Sequence, residues 1–280
     1  MSFYSFVSIF VIVLIRTVTL SAQLDMYNTL LFSPEIISPK AVSYLEKTYN
    51  LSGENIRFLI RNPDDETGIV YFNLHDNENT CVLATDCILN HFRGKFIELK
   101  FKGDRWIGGF MTPIYHFWFD PNRIYSDFGI FKTLKSYRSF TAENKKKVRI
   151  FSEYVTDSLL KDAEIVIAVH NNMKGYSLEQ YLPDSIFAKS AAQIHYNKER
   201  SPHDFYFVNE PAHFRYFKHL GYNVILQSKD PEDDGSLSVY CAKKKIPYIN
   251  IEALEGHFEE QHEMLLELQL FLMHILKLQE

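Results

Sequence analysis

The stretch Gly68–Leu89, GIVYFNLHDNENTCVLATDCIL, passes from an unbroken apolar run into a helical pattern, and at the change it sets His75 and Glu78 three residues apart. A continuous apolar run bounded by turn residues reads as a buried strand, 68–74, and Asn79-Thr80 open a helix over 79–92. Strand ends that feed helices are where open α/β sheets put their ligands. Zinc accepts imidazole nitrogen and carboxylate oxygen, and a catalytic site needs three protein ligands plus an open position. The run AEIVIAVHNN offers the third, because His170 follows its apolar strand, 164–169. A second His-x-x-acid pair, His257 and Glu260, stands at the start of the last helical pattern, where Glu259 and Glu260 suit the helix dipole without any metal. On residue type alone, His75 and His170 each read as a ligand or as a hydrogen-bonded core histidine.

Working outward, residues 23–65 read as a preamble with a helix near Pro39 to Tyr49 and a strand, IRFLI. Strands are expected at 95–102 and 114–119. A helix follows over 141–161, whose Val148, Phe151, Val155 and Leu159 keep close to a 3.6-residue period. FYFV, YNVILQ, SLSVYCA and YINIEAL read as further strands, and the chain closes with a helix over about 258–278. Strands and helices alternating early, then strands crowded together, imply one α/β domain over 66–280 with a mixed, mostly parallel sheet and helices on both faces.

The chain has 280 residues and a formal net charge of −5, which argues against a nucleic-acid surface. Its basic cluster, Lys145-Lys146-Lys147, sits beside Glu143 on an expected helix and reads as a solvated face. Three cysteines, Cys81, Cys87 and Cys241, make no disulfide framework, and Cys81 and Cys87 fall on nearly opposite faces of one helix. Residues 1–22 hold an apolar core, Phe6 to Ile15, followed by small residues up to Ser21-Ala22. This reads as a secretory signal peptide cleaved before Gln23, or else as an uncleaved membrane anchor, since no Lys or Arg precedes the core. Either places the folded part outside the cytoplasm, periplasmic or secreted.

Two more clusters complete the constellation. In FWFDPNRIY, Asp120, Asn122 and Arg123 stand together after an aromatic strand; a guanidinium fork and an amide are suited to gripping a carboxylate, and equally to a surface turn. Glu252 lies in the apolar run IPYINIEAL, where burying a carboxylate is costly without a partner or a task.

The order His-x-x-Glu, Asp-x-Asn-Arg, strand-ending His, strand-borne Glu resembles the zinc carboxypeptidase superfamily, including its aspartoacylase and succinylglutamate desuccinylase branch. The likeness runs from about 66 to 257, with intervals of 44 from Glu78 to Asn122, 47 from Arg123 to His170 and 82 from His170 to Glu252. It implies one zinc per chain held by His75, Glu78 and His170. It further implies a carboxylate clamp of Asn122 and Arg123, an orienting acid in Asp120 and a general base in Glu252. Asp76 departs from the family's usual small residue. Arg105 is the nearest counterpart of its carbonyl-polarising arginine, without matching spacing, and no tyrosine stands out as the one that covers the substrate. Glu255 and His257 leave open a competing base or metal pair.

The function these features imply is hydrolysis of an amide bond in a peptide or acylated amino acid bearing a free carboxylate, by an exported metallocarboxypeptidase-like enzyme. The alternatives are a deacylase of small N-acyl amino acids and a zinc-free module that binds carboxylates without chemistry. Oligomeric state and substrate side chain are not legible.

Overall fold

The structure is a computed structural model that describes residues 41–112 and 115–277. Its strands are β1 (Tyr44–Leu51), β2 (Glu54–Arg61), β3 (Ile69–Asn73), β4 (Lys95–Lys100), β5 (Ile107–Thr112), β6 (Tyr115–Phe119), β7 (Ile165–Asn172), β8 (Ala191–His195), β9 (Phe205–Val208), β10 (Val224–Gln227) and β11 (Tyr248–Leu254). The α-helices are α1 (Asn79–Leu89), α2 (Asp127–Ser136), α3 (Ala142–Tyr154), α4 (Pro211–His219), α5 (Leu237–Lys244) and α6 (Phe258–Lys277).

Every residue of β3 and β7 is buried, as expected of strands covered on both faces. They occupy the middle of a nine-stranded sheet of order β1-β2-β4-β3-β7-β11-β9-β10-β8. The central run β4-β3-β7-β11 is parallel throughout, and β9 also pairs parallel with β10. The remaining pairings are antiparallel and lie toward the two margins. The sheet is therefore mixed, with its parallel part at the centre.

Alternation along the central strands divides the core in two. Val70, Phe72, Val166 and Ala168 pack on one side with Leu134, Val148, Phe151 and Leu237 of α2, α3 and α5. Ile69, Tyr71, Ile167 and Val169 pack on the other with Ala84, Phe217, Leu268 and Phe271 of α1, α4 and α6. Both faces are covered, which is why the central strands are apolar over most of their length.

Several expectations need correction. The segment read as a helix near Pro39 to Tyr49 is, where described, the strand β1, because Ser52 and Gly53 in left-handed conformation close a hairpin that pairs it with all of β2. The part of the preamble from β1 to β2 is built into the main sheet, with Arg57–Arg61 pairing against β4. SLSVYCA is no strand: Ser236 caps α5 by accepting from the Val239 amide, and the buried Leu237 and Cys241 stand four apart on one helical side. The strand β5 was not expected, since it begins Ile107-Gly108-Gly109 and reads as broken. Its pairing with β6 requires that glycine, because a Cβ at Gly108 would stand 1.8 Å from the Phe117 carbonyl oxygen. The helix expected over 141–161 divides into α3 and a single π turn, Val155–Leu159.

Candidate metal centre and substrate cavity

β3, β7 and β11 run side by side in one direction, so their carboxyl ends meet at one edge of the sheet. His75 lies just past the end of β3, His170 near the end of β7, and Glu252 on β11 in register with His170. Glu78 is the residue from which α1 starts, yet its side chain makes no cap. The helix is instead capped from the neighbouring strand: the Asn171 Oδ1 accepts from the Cys81 amide at 2.8 Å. That frees the Glu78 carboxylate to turn inward.

There it meets both histidines. His75 Nδ1 lies 2.9 Å from Glu78 Oε1, and His170 Nδ1 lies 2.7 Å from Glu78 Oε2. All three side chains are buried, and one donor atom from each falls within 4.8 Å of the others. His75 Nε2 stands 3.0 Å from Asp120 Oδ1, so the acid holds the ring from behind and would keep the proton on Nε2 when a metal takes the Nδ1 lone pair. Asp120 is fixed in turn, its carboxylate accepting from the Asn122 amide and its own amide donating to Thr133 Oγ1. His170 Nε2 is buried without a hydrogen-bond partner, while its backbone carbonyl accepts from Gln261 Nε2 at 2.9 Å.

Burial alone would raise the Glu78 carboxyl, but the adjacent His75 and His170 outweigh it and hold it well below the ordinary range. Asp120 is likewise lowered against its burial, by His75 first and by Arg123 and Arg105 after it. Two imidazole nitrogens and an ionised carboxylate aimed at one buried point are a zinc donor set of two nitrogens and one oxygen. The residues present fit that ion.

The cavity around this centre has a volume of about 480 Å3 and is also lined by Arg105, Asn122, Arg123 and Glu252. Arg105 Nη1 reaches Glu78 Oε1 at 2.6 Å, so the guanidinium that sequence spacing could not match stands beside the candidate ligands. Asp76, the residue out of pattern, explains how. Its buried carboxylate accepts from the Phe101 and Gly103 amides at 2.5 and 2.7 Å and pairs with Lys100, fixing the turn that leads to Arg105.

Asn122 Oδ1 accepts from the Leu237 amide at 3.0 Å, which fixes the amide and leaves its NH2 to serve as a donor. Arg123 Nη1 donates to the Asn122 carbonyl at 2.7 Å, and its Nη2 lies 3.8 Å from Asp234 Oδ2. Glu252 accepts from Asn250 Nδ2 at 3.1 Å and Asn172 Nδ2 at 3.3 Å. Burial raises its carboxyl above the ordinary value, with Glu78 adding and His170 opposing. Such a group is a better proton acceptor than an exposed glutamate.

Sequence reading did not single out Tyr176 and Tyr181, whose hydroxyls hydrogen-bond at 2.5 Å on the cavity wall, nor Asn172 and Asn250, which hold Glu252. The signal available was the run His170-Asn171-Asn172 ending a buried strand, where consecutive amides imply polar work. His257 turns away, its Nδ1 2.9 Å from Asp204 Oδ2, so it forms no pair with Glu255. Glu255 is an exposed residue at the cavity edge. The cysteines Cys81, Cys87 and Cys241 are all free.

No family model matches the chain, and no curated protein matches it. Solved structures do. The succinylglutamate desuccinylase from Chromobacterium violaceum is 11% identical over 84% of this chain and 72% of its own, with a TM-score of 0.43. The ectoine utilization protein EutE from Ruegeria pomeroyi is 11% identical over 83% of this chain and 70% of its own, TM-score 0.42. A succinylglutamate desuccinylase/aspartoacylase from Rhodobacter sphaeroides is 11% identical over 81% of this chain and 63% of its own, TM-score 0.39.

Proposed function

We propose that this chain is a zinc-dependent amidohydrolase of the metallocarboxypeptidase type, cleaving the amide bond next to a residue that carries a free carboxylate. The observation that carries the reading is the convergence of His75 Nδ1, His170 Nδ1 and the Glu78 carboxylate in one cavity with Glu252 and Arg123. His75, Glu78 and His170 would hold the metal, which supplies Lewis-acid polarisation of a carbonyl and acidifies water.

The chain's own groups then divide the work. Arg123, with the Asn122 NH2 beside it, grips the substrate carboxylate and sets the scissile amide in the cavity. Arg105 presents a fixed positive charge to the oxygen on which negative charge grows. Glu252 takes the proton of the attacking water and returns it to the leaving nitrogen, and the hydrogen bonds from Asn172 and Asn250 keep it aimed. Asp120 holds the His75 tautomer throughout. A held base favours catalysis over simple carboxylate binding.

The test is mass spectrometry of products from a mixed library of peptides and N-acyl amino acids, run beside elemental analysis. Release of a carboxyl-terminal residue or a free amino acid by protein holding about one zinc per chain is the expected outcome. Zinc-loaded protein that cleaves neither class would overturn the reading. Export is part of the proposal on the strength of residues 1–22, which lie outside the described residues; mature protein from the envelope or medium should begin near Gln23.

A further inference from the structure

A cavity of about 480 Å3 offers more room than an amide and a carboxylate fill, and the surplus has a definite chemistry. β11, β9 and β10 lie side by side, with Asn250 in register with Phe207 and Phe207 with Ile225. Alternate residues share a face, so Tyr248 and Asn250 lead away from Glu252 along β11, flanked by Phe207 on β9 and Gln227 on β10. All four line the cavity. Tyr181 forms the wall, its ring centroid 5.6 Å from that of Phe207.

None of these groups is charged. Of the cations on the cavity, Arg105 is engaged by Glu78, Arg123 lies at the clamp and Lys174 is exposed. The acids Glu232, Asp234 and Glu255 also line it. A carboxylate lowered onto the floor would lose its water for aromatic rings and amides, with no cation to replace it. An aliphatic group would be tolerated, but it would leave polar groups idle. Gln227 is only 4% exposed and its Oε1 has no partner; the Asn250 Oδ1 is also buried without one. Buried amides left short of hydrogen bonds are costly, and the Gln227 amide can rotate to offer either its oxygen or its NH2, while Asn250 offers its oxygen.

We propose that the floor formed by Asn250, Gln227, Phe207 and Tyr248 is a subsite for a neutral side chain that both donates and accepts hydrogen bonds, a primary amide above all, and that it discriminates against a second carboxylate. The proposal rests on Arg123 holding the substrate's terminal carboxylate. It gives the reaction a substrate class, peptides or acyl amino acids ending in a glutamine-like residue.

The experiment compares N-benzoylglycyl dipeptides ending in Gln, Glu or Leu on the zinc-loaded full chain at pH 7. A kcat/KM for the Gln substrate about tenfold or more above both others is expected, since a site built to hydrogen-bond rejects near-isosteres that cannot. The similarly sized Gln227→Met should narrow the Gln-over-Leu ratio several-fold. Glu or Leu cleaved as fast as Gln, or a Gln227→Met variant with an unaltered ratio, overturns the subsite. If no dipeptide is cleaved, the peptidase form of the hydrolase reading has failed and the subsite is judged by binding. Calorimetry with free Gln, Glu and Leu then decides the subsite alone: tighter binding of Gln upholds it, and equal or absent binding refutes it.

Discussion

Among the described residues two sets of histidine and acid residues each bring one donor atom per residue within 4.8 Å of the others, and they are built from the same chemistry in opposite surroundings. In the first, His75, Glu78 and His170 are all buried, and each histidine directs Nδ1 at the carboxylate. In the second, Asp204 is buried, but its Oδ1 already accepts from the Leu254 amide, its Oδ2 faces His257, and Glu260 is exposed. The first set has its donors free to converge and an acid, Asp120, fixing the tautomer from behind. The second spends its acid on holding the turn after β11. Residue type suggests a metal site in both sets, and the destinations of the other hydrogen bonds favour the first.

The largest effect should separate the two sets outright. His75→Ala or His170→Ala removes one of three ligands and should take zinc from about one per chain to none, whereas His257→Ala should leave it unchanged. Inductively coupled plasma mass spectrometry reads this directly; full zinc in either of the first two variants would exclude the site. Glu252→Gln comes next. It should retain the metal and lose roughly 10²–10⁴-fold in kcat, because an amide of the same shape cannot accept the proton. Turnover near wild type would remove Glu252 from the chemistry.

Arg123→Ala tests the rim of the first set. A buried charge pair stripped of one partner costs roughly 2–5 kcal/mol, and because the Arg123 side chain is 39% exposed the lower end, about 2 kcal/mol in kcat/KM, is expected. The loss should fall on substrates with a free carboxylate and spare their amidated analogues. Equal losses would return Arg123 to a surface role.

A fourth histidine sharpens the contrast from outside both sets. His213 on α4 packs edge-on against Phe271, and burial pushes its pKa down to about 4. Its folded value lies below the unfolded 6.5 or so. It therefore costs nothing at neutral pH, and stability falls as pH drops through 6.5, because the unfolded chain takes the proton first. The full deficit, roughly 3 kcal/mol, is reached near pH 4. His213→Phe should flatten the urea midpoint between pH 6.5 and 5; an unchanged slope would show that other groups set it.

The sequence was informative wherever one segment contained the whole cause. β3, β7 and β11 are apolar for most of their length, which leaves few other elements they could form, and the residues toward their carboxyl ends were therefore legible as neighbours. It was silent where the cause sits on another segment. α1 is capped by Asn171 rather than by its own first turn, Arg105 is brought to Glu78 by Asp76, and Asn122 is oriented by the Leu237 amide. The misreading of SLSVYCA, 236–242, was local instead, since alternating apolar residues fit a strand and a short helix alike until Ser236 is seen to cap it. The carboxyl-terminal subsite depends on β9, β10 and β11 lying adjacent, an order that no local pattern encodes.

The segment that carries Asp120, Asn122 and Arg123 is secured by side chains that do not exist. Gly129 and Gly235 meet backbone to backbone: a Cβ on Gly129 would lie 2.3 Å from the Gly235 Cα, and one on Gly235 2.7 Å from the Arg123 carbonyl oxygen. The Gly235 carbonyl also accepts from the Tyr125 amide. Two stretches more than a hundred residues apart in sequence are thereby tied at a point where no mutation can be compensated by repacking, for there is nothing to repack. An alanine at either glycine, far from the metal ligands in composition and chemistry, would shift the guanidinium's foundation. In directed evolution of this site, the grip on the substrate could be retuned at many positions, but only on top of that fixed crossing.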